Sequence, residues 1–180
     1  MDFSDLLKEI EICLKEKHYI AALMMALTIP DSCGKMEYPK EKNTSRYKKW
    51  YSNFVDNVNY INEHILQPDE PKNPWLSADL VYSIRCNMLH ENESKIDDKD
   101  IHQEENKNVD FKLIFNESSC CERSVSNDGT EKNFYVNSPY LTKLLLYAGK
   151  LYYKDNIDKF KEYKHSRFVY FSNNQGVSYE

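Results

Sequence analysis

Glycine is scarce in this chain of 180 residues, which contains only four. That number excludes the glycine-rich loops of phosphate- and dinucleotide-binding proteins, and the sequence has neither a G-x-S-x-G elbow nor an H-E-x-x-H motif. No stretch approaches the ~18 consecutive apolar residues that cross a bilayer, and the acidic N-terminus has no basic region followed by an apolar run, as a secretory signal would. We therefore expect a cytoplasmic protein with no cofactor and no membrane partner.

Paired cysteines and a bulk positive charge are also missing. The five cysteines are odd in number and include no C-x-x-C pair, which excludes a regular disulfide framework and a zinc ribbon, and we expect no metal site. The adjacent Cys120 and Cys121 fit either a polar loop or a redox switch. A net charge of -5 argues against coating nucleic acid through bulk electrostatics, but it is compatible with a local basic site.

The charge is distributed unevenly along the chain. Residues 91–131 contain twelve acidic and five basic side chains, whereas residues 138–170 contain seven basic and three acidic ones. This asymmetry predicts an acidic and a basic face on one small protein.

Composition and apolar spacing predict a mainly α fold, a helical bundle of about five helices with an inserted small β-hairpin. Hydrophobic residues make up 41% of the chain and charged residues 29%, which is typical of a globular protein. The length suits one domain. We place this helical domain at residues 1–165, its hairpin insertion near 109–136, and a C-terminal tail at 166–180.

Five segments have apolar residues at the three- and four-residue spacing of a helix. Ser4 is the expected cap of the first. The second is expected to end in a turn from Pro30 to Gly34, because proline disfavours helical angles in the residue before it. Ser138 and Pro139 suit the start of the last helix. The five segments cover about residues 4–14, 19–29, 45–65, 77–90 and 138–163, and the fourth helix is expected to begin near Trp75 or Ser77.

Two short apolar segments predict the hairpin. Residues 109–115 alternate between apolar and polar side chains, and residues 134–136 form a short segment that is rich in aromatic side chains. The turn signal Asn127-Asp128-Gly129 lies between them, so we expect the two segments to pair as a two-stranded hairpin.

The fourth predicted helix ends in Arg85-Cys86-Asn87-Met88-Leu89-His90. An arginine and a histidine separated by four residues, with a polar residue between them and a helix break after the histidine, resemble the Arg-x(4-6)-His motif of the HEPN superfamily. The wider stretch from Asp79 to Glu91 is similar to the corresponding helix of that superfamily. The resemblance implies a small helical bundle that dimerises and cuts RNA without a metal ion, with Arg85, Asn87 and His90 as catalytic residues.

Helical geometry restricts how these residues can act together. At about 100° per residue, Arg85 and His90 lie about 140° apart around an α-helix, whereas Asn87 and His90 share a face. One helix does not easily direct both Arg85 and His90 at one phosphate. In the superfamily two such helices meet at a two-fold axis, so the enzyme interpretation requires a homodimer.

The chemistry requires few groups, because RNA carries its own nucleophile in the ribose 2′-hydroxyl. His90, with an ordinary pKa of about 6.5, can serve as general base or acid. Arg85 can hold two phosphate oxygens and stabilise the charge that grows on them, and Asn87 can position the histidine or the phosphate. The products would be a 2′,3′-cyclic phosphate and a 5′-hydroxyl. A structural role is the alternative, with Arg85 in a salt bridge and His90 at a helix C-terminus.

Other residues are candidates for supporting roles. Asp31 fits either a residue that orients Arg85 or His90 or a cap of the following turn. Arg46, Lys48 and Lys49 alternate with the aromatic residues Tyr47, Trp50 and Tyr51, as in a patch that binds phosphates and stacks bases, or they form a solvated helix face. We expect RNA as the ligand of this patch if it is functional.

Two functions from different classes fit the sequence. The first is a metal-independent endoribonuclease of the HEPN type, acting as a toxin or a phage-defence effector, and the resemblance implies a nucleotidyltransferase-like antitoxin as a partner. The second is a non-catalytic helical module that serves dimerisation or protein binding, which the acidic surface and the lack of a dominant basic patch favour.

Overall fold

Helices form most of the structure, a computed structural model that describes residues 2–56, 76–91, 95–96, 109–115, 122–125 and 132–162. The predicted class, mainly helical with a small inserted β element, is confirmed. The α-helices are α1 (Phe3–Lys15), α2 (Tyr19–Ala26), α3 (Ile29–Glu37), α4 (Asn43–Phe54), α5 (Ala78–Cys86), α6 (Ser138–Asp155) and α7 (Ile157–Glu162). A π-helical turn, Asn87–Glu91, continues α5, and the strands are β1 (Lys95–Ile96), β2 (Val109–Ile114), β3 (Glu122–Val125) and β4 (Lys132–Asn137).

Side-chain caps fix where the helices begin. Asp2, and not the predicted Ser4, caps α1, in a capping box where its carboxylate accepts from the Asp5 amide at 2.9 Å and its own amide donates to the Asp5 carboxylate. Ser77, one of the two residues at which this helix was predicted to begin, caps α5. Its hydroxyl accepts a hydrogen bond from the Leu80 amide at 3.2 Å. Asn137 caps α6, one residue before the predicted Ser138.

The turn predicted from Pro30 to Gly34 is wrong, because these residues belong to helix α3. The second predicted helix ends at Ala26, and a short break at Leu27 and Thr28 separates it from α3. Pro30 lies in the first turn of α3, where the missing N–H breaks no hydrogen bond. Proline therefore starts a helix here rather than ending one.

The β insertion is a four-stranded sheet in the order β1-β2-β4-β3. The two segments predicted to form a hairpin, β2 and β4, are adjacent but parallel, with Phe111 opposite Phe134. Antiparallel pairing occurs instead between β3 and β4, so the predicted turn signal lies between this other pair of strands. Parallel neighbours need a longer connection than a hairpin turn, and β3 lies within that connection.

The hydrophobic core lies between the helices, and its three largest fully buried side chains, Trp50, Tyr47 and Tyr51, belong to α4. Helix α3 packs on α4 and α6, and α5 packs on α4. Trp50 of α4 is fully buried and meets the ring of Tyr152 edge-on at 5.7 Å, and Phe54 stacks on Trp50 at 5.3 Å. The ring contacts join α4 to α6, and the packing of α3 and α5 on α4 brings together the three helices that carry the candidate site.

Two predictions fall partly or wholly outside the described residues. The third predicted helix ends at Phe54 in the structure, and residues 57–75, onto which it was expected to run, lie outside the described part. The same is true of the tail at 166–180. None of the described helices is both long and apolar enough to cross a bilayer.

Candidate functional site

The candidate site is centred on an ion pair between Arg85 of α5 and Asp31 of α3. The Nε and Nη2 atoms of Arg85 both lie 2.9 Å from Oδ2 of Asp31. The two side chains are only 18% and 23% exposed, so the pair is largely shielded from solvent. This ion pair is what the orienting role of Asp31 predicts, and it is equally the salt bridge that the structural alternative for Arg85 predicts. Asp31 lies in the first turn of α3, so the turn that it was otherwise expected to cap is absent.

The surroundings of Arg85 keep it charged. Burial would lower the pKa of its guanidinium, but the Asp31 carboxylate outweighs that effect and raises the pKa. Its Nη1 atom lies 3.9 Å from Sγ of Cys86, and its Cζ atom lies 5.9 Å from the ring centre of Tyr82. Arg85 is therefore a permanent cation held in a defined orientation against an aromatic ring.

Tyr82 connects Arg85 to helix α4. Its ring meets that of Tyr47 at 5.2 Å in an edge-on arrangement, and its hydroxyl is 2.8 Å from the hydroxyl of Thr44. Lys48 places its Nζ atom 5.3 Å from the same ring. Sequence reasoning missed Tyr82 as part of the site, and it assigned Tyr47 to a base-stacking surface instead. The one local signal is that Tyr82 precedes Arg85 by three residues, which places both on one helix face.

His90 and Asn87 lie in the π-helical turn that follows α5. Asn87 is nearly buried, with 7% of its surface exposed. Backbone bonds in a π-helix join residues five apart, so the chain rotates less per residue than in an α-helix. This reduces the angular separation of 140° expected between the backbone positions of Arg85 and His90. Single π-helical turns within α-helices occur frequently at functional sites.

The three predicted RNA-binding residues do not form one patch. Lys48 lies at the Tyr82 ring and forms a salt bridge with Asp79 at 2.5 Å. Lys49 pairs with Glu41 and lies over the ring of Tyr38. The Nε atom of Arg46 is buried without a hydrogen-bond partner among the described residues. The structure therefore brings only Lys48 to the Arg85 cluster.

The aromatic residues expected to stack on bases belong to the core. Tyr47, Trp50 and Tyr51 are at most 1% exposed, so none offers a ring face to a ligand at the surface. Their spacing of three and four residues is that of a stripe on one helix face, and this stripe faces the interior. The interpretation of these residues as a stacking surface is wrong.

The described part of the chain contains no cluster of side chains that could hold a metal ion. Cys13, Cys33 and Cys86 are free thiols there, and burial raises the pKa of Cys33 well above its ordinary value. Within the described ranges no group of His, Cys, Asp and Glu side chains is arranged to hold a metal ion. Cys120 and Cys121 lie outside those ranges.

A pocket of about 340 Å³ opens at a different place, where α1 meets α2. Its walls are residues 17–21 and Phe115, and it includes none of the predicted site residues. The rings of Tyr19 and Phe115 lie nearly parallel there, with centres 5.9 Å apart. Ile20 is 53% exposed and Phe115 is 46% exposed, so this face is apolar and open.

Comparison with known proteins gives no matching family model, no matching curated protein and no matching solved structure.

Proposed function

We propose that the chain is a metal-independent endoribonuclease of the HEPN type, with Arg85, Asn87 and His90 as its catalytic residues. One observation carries the proposal: a guanidinium oriented by Asp31 stands at the end of α5, and a π-helical turn containing Asn87 and His90 follows directly. The resemblance of this stretch to the Arg-x(4-6)-His motif supports the same assignment.

In the proposed reaction the ribose 2′-hydroxyl attacks the adjacent phosphorus while His90 removes or delivers a proton. Arg85 binds two non-bridging oxygens and stabilises the negative charge that grows on them in the transition state. The bond to the 5′-oxygen breaks, and that oxygen takes up a proton. A 2′,3′-cyclic phosphate and a 5′-hydroxyl remain, and every group in the scheme belongs to the protein or to the RNA.

The proposal requires a homodimer in which two copies of the motif line one cleft. One motif supplies one guanidinium and one imidazole, separated around the helix, and a second copy across a two-fold axis completes the set. Lys48, whose ammonium lies at the Tyr82 ring beside Arg85, is proposed to contact a phosphate next to the one that is cut. RNA is therefore the proposed substrate and a second copy of the chain the proposed partner.

The biological setting follows from the resemblance. Nucleases of this type act as toxins or phage-defence effectors in the cytoplasm, where cleavage of cellular RNA stops growth. We propose the same role here, with a nucleotidyltransferase-like antitoxin that masks or modifies the site.

The test is growth on expression together with RNA cleavage by the purified protein in the presence of a chelator. We expect the wild-type protein to arrest growth and cut RNA, and Arg85→Ala and His90→Ala to do neither. Cys86→Ala is the matched control, because its thiol neighbours Arg85 but has no role in the scheme. Equal loss in all three variants, or loss of cleavage on adding the chelator, contradicts the proposal.

A non-catalytic module that binds a second copy of the chain is the other candidate, and the open apolar face of Ile20 and Phe115 favours it. The two candidates differ in the effect of Ile20→Glu on mass in solution and on RNA cleavage. The nuclease proposal predicts an unchanged dimer and unchanged cleavage. The module predicts that wild-type protein leaves RNA intact and that Ile20→Glu converts a dimer to a monomer.

A further inference from the structure

The pocket where α1 meets α2 has no part in the proposed chemistry, and its walls combine aromatic rings with basic residues. Phe115 and Tyr19 supply the rings, Lys17 and His18 are the basic residues, and none of the six residues that line the pocket is acidic. Its volume of about 340 Å³ lies within the range of small-ligand sites. An aromatic and basic wall complements a ligand that is both aromatic and anionic.

Backbone contacts bring Phe115 beside Tyr19. Phe115 follows β2, whose last residue, Ile114, pairs with Asn137 at the end of β4. Ser138, the next residue of the chain, donates a hydrogen bond from its hydroxyl to the Tyr19 carbonyl at 3.2 Å. The two rings lie within 13° of parallel, with centres 5.9 Å apart. The sheet and the start of α6 thus support this stack from behind.

Phe115 is the more exposed ring of the pair. Among the aromatic side chains whose burial the structure describes, it alone is exposed, with 46% of its surface open to solvent. The aromatic residues that sequence reasoning assigned to base stacking, Tyr47, Trp50 and Tyr51, are buried. An exposed aromatic ring is a platform on which a nucleobase can lie, and every base offers a π-face to it.

Lys17 lies in the pocket wall with an unusual backbone conformation. The chain leaves α1 through a Schellman motif, in which the His18 amide donates to the Cys13 carbonyl at 2.8 Å and the Lys17 amide donates to the Leu14 carbonyl at 3.1 Å. Lys17 has a φ of 61°, in the left-handed region where glycine is usual and other residues are strained. Its side chain is exposed and forms no ion pair with a described residue. Strained residues of this kind cluster at ligand sites, which is a reason to assign the lysine side chain a role.

We propose that this pocket binds one nucleotide of a single-stranded RNA, with the base stacked on Phe115 and the adjoining phosphate paired with the Lys17 ammonium. This inference rests on the proposed function in one respect, namely that RNA is the ligand of the chain. One stacked base raises affinity about ten- to a hundredfold. That is too little to retain a free nucleotide, but it tightens the binding of a strand that is also held elsewhere. The pocket is a second RNA contact outside the catalytic cleft, so it affects how tightly RNA binds and not the rate at saturating RNA.

The first test measures binding of a short oligodeoxythymidylate, which offers bases and phosphates but no attacking hydroxyl. We expect Phe115→Ala to weaken binding about tenfold and Phe115→Trp to restore it, with quenching of the introduced indole when a base stacks on it. Ile157→Ala is the matched control, because Ile157 is a similarly exposed apolar side chain outside the pocket, and this variant should bind like wild type. With a strand of the same length that lacks bases, Phe115→Ala should change nothing.

Lys17→Gly separates a binding role from a structural one. Glycine adopts the left-handed backbone without strain, so the variant should melt a few degrees higher than wild type. It should also bind the oligonucleotide several-fold more weakly, and the slope of log affinity against log salt should fall by about 0.7, as expected for one lost phosphate contact. Lys15→Ala removes an exposed charge from the last turn of α1, outside the pocket, and should keep the wild-type affinity and slope.

Several results would overturn the inference. One is wild-type protein that does not bind the oligonucleotide, and another is Phe115→Ala protein that binds it like wild type or loses as much affinity for the base-free strand. The same holds if Lys17→Gly binds unchanged or melts lower. Thymidine monophosphate bound as tightly as the strand would make the pocket a site for free nucleotides, and a dimer that Phe115→Ala converts to a monomer would make it an interface between two copies.

Failure of the nuclease proposal gives a different result. In that case wild-type protein leaves RNA intact, while the oligonucleotide still binds in a way that depends on Phe115 and Lys17. Conversely, RNA cleavage at low RNA concentration that is equally fast in wild type and Phe115→Ala overturns the role of the pocket and leaves the nuclease proposal in place.

Discussion

Among single residues, Asp31 holds the Arg85 guanidinium of the candidate site through an ion pair. The hydrogen bond from Nε of Arg85 and the ion-pair contact of its Nη2 atom both reach one oxygen of Asp31, in surroundings where each side chain is less than a quarter exposed. A shielded, charge-assisted pair of this kind contributes more than an ion pair at the surface. The position of Arg85 therefore depends on a residue 54 positions away in the sequence.

Replacing Asp31 should destabilise the fold as well as the site. We expect Asp31→Ala to lower the free energy of unfolding by about 1–3 kcal/mol, because the Arg85 guanidinium would remain largely buried without this carboxylate. Urea unfolding measures the loss. Asp158→Ala is the control, since its pair with Lys161 is 85% exposed on the Asp158 side, and we expect no measurable change. An equal loss in both variants would contradict this account of Asp31.

Glu37 links stability to pH at a part-buried contact with Tyr152 and Lys159. Burial would raise the pKa of Glu37, but the hydrogen bond from Tyr152, at 2.7 Å, and the ammonium of Lys159 outweigh it and lower the pKa from its ordinary value of 4.5. A lowered folded-state pKa means that these contacts stabilise the fold above the unfolded-state pKa. Their contribution is lost as the pH falls through the lowered pKa.

Glu37→Gln should therefore be less stable than wild type near neutral pH, and the difference should shrink in acid. Urea unfolding at neutral pH and at about pH 3 tests this. Glu11→Gln serves as the control, since Glu11 pairs with Lys150 at the surface and is 48% exposed, and its change should be small throughout. A difference for Glu37→Gln that stays constant with pH would show that the carboxylate charge is not what stabilises the contact.

Among the helices, the contact between α3 and α4 determines where Asp31 lies. Gly34 allows this contact, because a Cβ atom there would lie 2.7 Å from the backbone carbonyl oxygen of Arg46, and backbone cannot move aside easily. At Gly149 of α6 the nearest atom to an added Cβ is Cγ2 of the Ile29 side chain, at 2.9 Å. Both glycines permit close helix packing, but only Gly34 meets a rigid neighbour.

Gly34→Ala should push α3 away from α4 and so move Asp31 relative to Arg85. We expect it to lower the free energy of unfolding by about 1–3 kcal/mol, as overpacking does, and to reduce RNA cleavage by more than that loss explains. Gly149→Ala should be milder, since a side chain can adjust. Chemical unfolding and cleavage rates at a temperature where both variants are folded provide the comparison, and a larger effect of Gly149→Ala would contradict it.

The sequence predicts those elements whose signals are local. Ser77 was one of the expected starts of α5, and Pro139 lies in the first turn of α6, because a cap and a first-turn proline act within three residues of each other. Pro30 shows the limit of such signals. A proline suits the residue after a helix as well as the first turn of the next one, and the choice depends on the packing of α3 against α4.

Contacts between distant segments could not be predicted in this way. The parallel pairing of β2 with β4 depends on the intervening β3, and nothing in either strand alone specifies its direction. The motif predicted Arg85 as a functional residue. The sequence did not decide whether Asp31 contacts Arg85 or caps a turn, because the two residues are far apart in the chain. Tyr47, Trp50 and Tyr51 are spaced like the buried residues on one face of a helix. The interpretation of these residues as a stacking surface overlooked that spacing.

At the scale of the whole molecule, the nuclease proposal requires that two copies of the chain form a dimer. A chain of 21.4 kDa with one motif should behave in solution as a particle of twice that mass, with the motif helices of two copies facing each other. The Ile20 and Phe115 face would then remain outside the catalytic cleft.

The most direct measurement of the central claim is the cleavage of a single RNA by the purified protein in the presence of a chelator, with the product ends identified by mass spectrometry. The RNA is compared with one that carries a 2′-deoxyribose at the cut site, and wild type is compared with Arg85→Ala. We predict 2′,3′-cyclic phosphate ends from wild type, and no cleavage with either the deoxyribose or the variant. Cleavage that survives the deoxyribose, or that Arg85→Ala leaves intact, would contradict the account.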